Sequence, residues 1–210
     1  MSFLNRYIFA SFYILQKFSK NCIVNILLFV LVPSAFQCYK MLPIVLMGPS
    51  GCGKTTIASI MHREIGCPFI EGDDFHSQHN ISKMASGIPL TDDDREPWLE
   101  HIHAAVTEAR SMHKYAPIIV TCFALKRRYR EILSRPPNND ILFVFLDAPH
   151  EVLETRVSQR KGHFFPTNII PSQLEILEVP RKNEENCLSI DATLNPEEIV
   201  SRILAHLKSA

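Results

Sequence analysis

None of the seven glycines has an aspartate three residues before it, and no Asn-Lys-x-Asp tetrapeptide occurs. The first absence removes the D-x-x-G sensor with which switch GTPases read a γ-phosphate, and the second removes their guanine reader. The six cysteines (Cys22, Cys38, Cys52, Cys67, Cys122 and Cys187) form no C-x-x-C pair and no metal-ligand spacing. Free or buried thiols in a reducing compartment are the plainer reading. Basic and acidic residues both number 22, so no global basic field recruits nucleic acid or an acidic membrane. Internal repeats and low-complexity tracts are absent, and 210 residues suit one catalytic domain, not a motor or large ATPase.

What is present begins with Gly48-Pro49-Ser50-Gly51-Cys52-Gly53-Lys54-Thr55, a match to G-x-x-x-x-G-K-[ST]. It follows the apolar run Ile44–Met47 and precedes the helix-like Thr56–Ile60. Glycines let the backbone curl so that several N–H groups point at one phosphate, and the next helix adds its positive end. Gly48 to Thr56 are therefore expected to hold a nucleoside triphosphate, with Lys54 on the β/γ-phosphates and the Thr55 hydroxyl on Mg²⁺. Cys52, at a helix start beside a lysine, is expected to have a lowered pKa and to be oxidation-sensitive.

No Asp or Glu precedes Glu64, and residues 1–40 carry only Arg6, Lys17, Lys20 and Lys40 as charges. Asn21–Tyr39 is uncharged and just long enough as a helix to cross a bilayer core, but Asn25, Pro33, Ser34 and Gln37 dilute it. Three readings compete: an organelle-targeting segment, a signal anchor, or an unused upstream extension with translation from Met41. Membrane contact is expected only if the segment is kept as an anchor.

From Pro43 onward, β-rich runs alternate with amphipathic helices, which predicts an α/β fold with a parallel five-stranded sheet and flanking helices. Strands are expected over 44–47, 68–70, 118–122, 141–146 and 188–191. Helices are expected over 54–65 (stopped by Gly66), 97–113 (opened by Pro97), 127–133 and 151–160. The last helix carries Asn195 as N-cap, Pro196 at its first position and Glu198 at its third. His79–Trp98 is expected to be loop-rich.

Glu71-Gly72-Asp73-Asp74 follows the second strand, so its carboxylates stand at the sheet's C-terminal edge near the phosphate loop. Asp73 is the preferred group to accept a hydrogen bond from an attacking hydroxyl; Asp74, or a purely turn-forming role, are the alternatives. Lys83 and Arg95 suit an anionic acceptor. Asp92–Asp94 read as helix-start and Arg-orienting groups, with metal ligation the weaker alternative. Arg156, Arg160 and Lys161, followed by Gly162, read either as a lid supplying a transition-state cation or as a solvated basic helix end.

Gly48–Thr56, Gly72-Asp73 with His76, Asn80-x-x-Lys83-Met84-x-x-Gly87-x-Pro89-Leu90, Asp92-Asp93-Asp94-Arg95-x-Pro97-Trp98-Leu99, Cys122-x-Ala124-Leu125-Lys126 and Arg160–Phe164 together resemble the gluconokinases. So do Ser172-Gln173 and Leu177-Glu178-x-Pro180. The resemblance runs from about Met41 to the C-terminus. It implies a P-loop kinase-like fold of the shikimate and nucleoside-monophosphate kinase type with a lid, and a kinase domain over 41–210. It further implies ATP- and Mg²⁺-dependent phosphorylation of D-gluconate at its 6-hydroxyl, feeding the pentose phosphate pathway, by a cytosolic homodimer. By this likeness Gly48–Thr55 bind ATP, Asp73, His76, Lys83, Arg95 and Lys126 line the acceptor site, and Arg156 and Arg160 belong to the lid region; Lys54, Asp73 and Arg160 are the expected catalytic groups.

The chain departs from the pattern at Phe123, where the family usually carries serine, so a ring replaces a hydroxyl beside the sugar pocket. Pro49 and Cys52 replace the usual Val and Ser where the backbone does the binding. A kinase for another small sugar acid, and a nucleotide-binding protein without turnover, are the competing functions.

Overall fold

The computed structural model describes residues 39–114, 116–159, 169–181 and 186–209. Tyr39 onward forms one compact unit. Its elements run β1 (Pro43–Met47), α1 (Lys54–Ile65), β2 (Phe69–Glu71), a 3₁₀ turn (Gly72–Phe75), α2 (Gln78–Ala85), α3 (Asp92–Met112), β3 (Ile118–Thr121), α4 (Arg127–Leu133), β4 (Leu142–Asp147), α5 (His150–Ser158), α6 (Ile169–Glu175), β5 (Cys187–Asp191) and α7 (Pro196–Ser209). The five strands form one parallel sheet in the order β2-β3-β1-β4-β5.

β1 is the centre of the sheet, and all five of its residues are buried. Side chains alternate across a strand, so Ile44 and Leu46 face one core and Val45 and Met47 the other. The first core is completed by Ile57 and Met61 of α1 with Ile199, Val200 and Ile203 of α7. The second is completed by Trp98, Leu99 and Ile102 of α3 with Tyr129, Ile132 and Leu133 of α4. Strands apolar on both faces follow from helices covering both faces, the arrangement that parallel crossover connections impose. The loops after β1, β2 and β3 therefore converge at one sheet edge.

The expected strands are found with their ends moved by no more than two residues. α1 ends at Gly66, whose φ of 66° is open to glycine at little cost and whose N–H bonds His62 O at 2.9 Å. At α7, Asn195 Oδ1 accepts from Glu197 N at 2.9 Å, but Glu198 pairs with Arg202 at 2.6 Å instead of turning back to the cap.

Two expectations fail. The loop-rich stretch contains α2, opened by Ser77, whose hydroxyl accepts from Asn80 N at 3.2 Å. α3 begins at Asp92, five residues before Pro97. Thr91 and Asp94 form a capping box, Asp94 N donating to Thr91 Oγ1 at 3.3 Å and Thr91 N to Asp94 Oδ2 at 2.8 Å. That reciprocal cap and three acids at the positive helix end outweigh the single backbone bond that an interior proline removes. Among the described residues no helix is long and apolar enough to cross a membrane.

Candidate active site

The phosphate-loop motif leaves β1 as expected. Gly51 and Gly53 have φ of 83° and 102°, values that any other residue would adopt under strain. A side chain at Gly51 would also come within 2.9 Å of Leu153 O. α1 has no side-chain cap and no acid of its own in its first turn, so the N–H groups at its positive end stay open toward the loop. Lys54 Nζ reaches back over the loop to Gly48 O at 2.9 Å and Pro49 O at 3.1 Å. Cys52 is buried, its sulfur 2.9 Å from where a Gly48 side chain would stand. The exposure on which oxidation of its thiol depends is not there. Burial pushes the Cys67 and Cys122 thiols up to about 12.

Thr55 Oγ1 donates to Glu71 Oε2 at 2.9 Å, and the other Glu71 oxygen accepts from the Thr121 hydroxyl. Glu71 thus joins the phosphate loop to the end of β3. It also leads directly into Gly72-Asp73. Gly72 is wedged: its N–H donates to Thr121 Oγ1 at 3.2 Å, its carbonyl accepts from Trp98 Nε1 at 2.7 Å, and an added Cβ would lie 2.2 Å from Thr121 O. Asp73 follows Gly72 at the end of β2, on the same sheet edge as Glu71 and the phosphate loop that Glu71 meets through Thr55.

His76 lies 4.0 Å from Asp73 (Nε2 to Oδ1) and stacks on Trp98 at 4.3 Å between ring centres. Its side chain is only 7% exposed and its Nδ1 has no hydrogen-bond partner among the described residues. Burial lowers the His76 pKa, Asp73 opposes that shift, and the Arg95 charge adds to it. Arg95 in turn approaches Asp92 at 4.0 Å and Tyr129 OH at 3.4 Å. Lys126 Nζ donates to both oxygens of Asp92 at 2.8 Å, and the Tyr129 hydroxyl donates to the same carboxylate. The bonds from Lys126 and then Tyr129 hold the Asp92 pKa down, while burial and that carboxylate push Tyr129 up to about 12.

Asp73, His76, Arg95 and Lys126 thus belong to one connected group. Lys83 sits apart on α2, its ammonium 2.5 Å from Asp94 Oδ2, where the lysine and the Thr91 cap depress the carboxyl below its usual range. Arg160 lies outside the described residues. Arg156 donates to Ala192 O at 2.9 Å, tying α5 to the loop before α7.

A family profile described as an AAA domain matches residues 44–180. A "Probable gluconokinase" of Dictyostelium discoideum is 42% identical over 171 residues, which are 79% of this chain and 86% of that protein. The chain belongs to the gluconokinase family. Two solved structures agree. A gluconokinase from Sinorhizobium meliloti 1021 is 42% identical with a TM-score of 0.69, covering 80% of this chain and 91% of its own. An unliganded sugar kinase from Janibacter sp. HTCC2649 is 43% identical with a TM-score of 0.71, covering 79% and 94%.

Within this gluconokinase fold, several contacts had no pattern in the sequence to reveal them. Gln173 of α6 holds the phosphate loop from 123 residues away, accepting from Ser50 N at 2.8 Å and donating to Ser50 Oγ at 3.1 Å. Buried Arg130 donates to Ala124 O and Leu125 O, both at 3.0 Å, and so braces the turn between Phe123 and Lys126, where Ala124 has a φ of 32°. Tyr129 is another addition, and Glu71, already placed at this edge by the sequence, gains its bonds to Thr55 and Thr121. The cue for Glu71 was its place two residues before Asp73 at the end of a strand.

Proposed function

We propose that this chain transfers the γ-phosphoryl group of ATP to the 6-hydroxyl of D-gluconate, giving 6-phospho-D-gluconate and ADP for the pentose phosphate pathway. The observation that carries the reading is the Thr55–Glu71 hydrogen bond of 2.9 Å, because it sets the phosphate loop beside the segment that bears Asp73. The gluconokinase names of the relatives support the choice of acceptor.

Gly48 to Thr56 cradle the triphosphate with backbone N–H groups and the positive end of α1. Lys54 exchanges its two loop carbonyls for the β/γ-phosphates. Asp73 accepts a hydrogen bond from the gluconate hydroxyl and takes its proton as the new P–O bond forms and the bond to the β-phosphate oxygen breaks. Buried His76 orients Asp73 and, by its unpartnered nitrogen, a sugar hydroxyl. Arg95 and Lys126 face the carboxylate end of the acceptor, with Lys83 at the outer side. Arg160 supplies the cation over the transferring group.

The Thr55 hydroxyl and Glu71 carboxylate are hard oxygen donors, and Mg²⁺ needs only one or two of these besides phosphate and water. The pair fits that ion, although no group of three or more His, Cys, Asp or Glu clusters for a metal among the described residues. When bound, Mg²⁺ neutralises charge on the phosphate oxygens. The reading extends to a cytosolic homodimer, with residues 41–210 as the kinase domain and 1–40 as an extension that touches a membrane only if retained as an anchor.

Coupled ADP release with ATP and Mg²⁺, with and without gluconate, tests the proposal. Gluconate-dependent turnover is expected. Turnover with other sugar acids only moves the acceptor, and ATP binding without turnover overturns the reading.

A further inference from the structure

The three basic side chains offered to the acceptor are held in different ways. Lys83 is tied to Asp94 at 2.5 Å, and Lys126 is chelated by Asp92 at 2.8 Å to each oxygen. Among the described residues Arg95 has only a 3.4 Å hydrogen bond to the Tyr129 hydroxyl and a 4.0 Å approach to Asp92, although its side chain is just 13% exposed. A guanidinium carries five N–H donors, all in its plane, so most of them lack a close acceptor among the described residues.

Ring faces hold Arg95 instead. Its guanidinium carbon is 5.1 Å from the centre of the Phe123 ring and 5.9 Å from that of Tyr129. Phe123 cannot easily turn away, because it packs on Tyr129 at 5.9 Å with 26° between planes and on Trp98 at 6.2 Å. Tyr129 is fixed by its hydroxyl on Asp92, and Trp98 by its indole N–H on Gly72. A cation gripped through the π-system keeps its donor edge open, whereas one gripped by carboxylates does not.

We infer that Phe123 is a positioning residue for the acceptor acid: its ring fixes the Arg95 guanidinium, so that the open donor edge meets the carboxylate of the substrate. The ring is part of how this site selects acids. This rests on the gluconate reading above and adds the means by which the carboxylate is read.

The test compares steady-state constants for the full chain and its variants, with folding checked by thermal unfolding. Phe123→Leu is expected to raise the KM for gluconate by roughly 5- to 30-fold, the span between an exposed and a desolvated cation–π contact. Its kcat and its KM for ATP should stay within about twofold, and Phe123→Tyr, which keeps the ring, should restore the native KM. In an Arg95→Gln background, where the cation is gone, Phe123→Leu should change the gluconate KM by less than about twofold. Should Phe123→Leu not fold, Phe123→Met takes its place in both backgrounds.

An unchanged gluconate KM overturns the inference. So does an equal rise in the Arg95→Gln background, or a parallel rise in the KM for ATP. Native protein without gluconate-dependent turnover sinks the function itself, a result distinguishable from any of these.

Discussion

Gly72→Ala is the substitution whose effect the geometry sets most directly. The added methyl carbon would stand 2.2 Å from Thr121 O, 3.3 Å from Thr121 C and 3.2 Å from Ile102 Cδ1. Carbon and carbonyl oxygen come to rest more than 3 Å apart, so a gap of about 1 Å must open. The oxygen is backbone in β3, paired in register with β2 at Glu71↔Thr121, and cannot swing aside like a side-chain end. Overpacking of this kind costs about 2–3 kcal/mol, which lowers Tm by roughly 4–12 °C in a chain of this size. The shift falls on the residue just before Asp73 and on the carbonyl that anchors Trp98, on which His76 stacks. A 1 Å misplacement of a reacting group costs ~10²-fold in rate. Coupled ADP release at a temperature below the variant's unfolding transition should therefore show kcat down by that order with the KM for ATP little changed. A Gly72→Ala protein with native Tm and native kcat would refute both the wedge and its link to Asp73.

Asp73→Asn keeps the shape and removes the charge, so kcat should fall by more than KM changes; loss of gluconate affinity alone would recast Asp73 as a substrate anchor. Gln173→Ala frees Ser50 from its two side-chain bonds, and steady-state kinetics should show the KM for ATP raised with that for gluconate unchanged. Asp92 has a folded pKa below its ordinary 3.8. It therefore contributes stability that is complete above that value and is lost as pH falls through the folded pKa. Thermal unfolding between pH 6 and pH 3 should show the native protein losing more Tm than Asp92→Asn; equal losses would remove Asp92 from the acid response.

The legible parts of this molecule are those written locally. β1 and the glycine loop follow from one apolar run and one octapeptide, and α7 from Asn195-Pro196 and an apolar stripe. α2 hid because eight residues, Gln78–Ala85, show too little of a stripe for periodicity to register. The start of α3 hid because Pro97 imitates a first-turn proline, while the true cap pairs Thr91 with Asp94 where Glu or Gln is the familiar partner. In the site, Asp73 and Arg95 were named from residue type and position, His76 and Lys126 through a family likeness, and contacts through Trp98, Phe123, Tyr129 and Asp92 connect the four. What sequence could not announce were bonds across long separations: Gln173 on Ser50, Asp92 on Lys126 and Tyr129, and Glu71 on Thr121. No spacing rule reaches over them, since each depends on which loops the strand order brings to one edge.

The pairing of Lys83 with Asp94 and of Lys126 with Asp92 has an effect beyond the bonds themselves. Two lysines cancelled in place project almost no field into solvent, and the chain as a whole carries no net charge to make up for it. Acids are then recognised by contact and not drawn from a distance, so capture of an anionic sugar should depend little on ionic strength, whereas a site of bare lysines would slow steeply as salt is added.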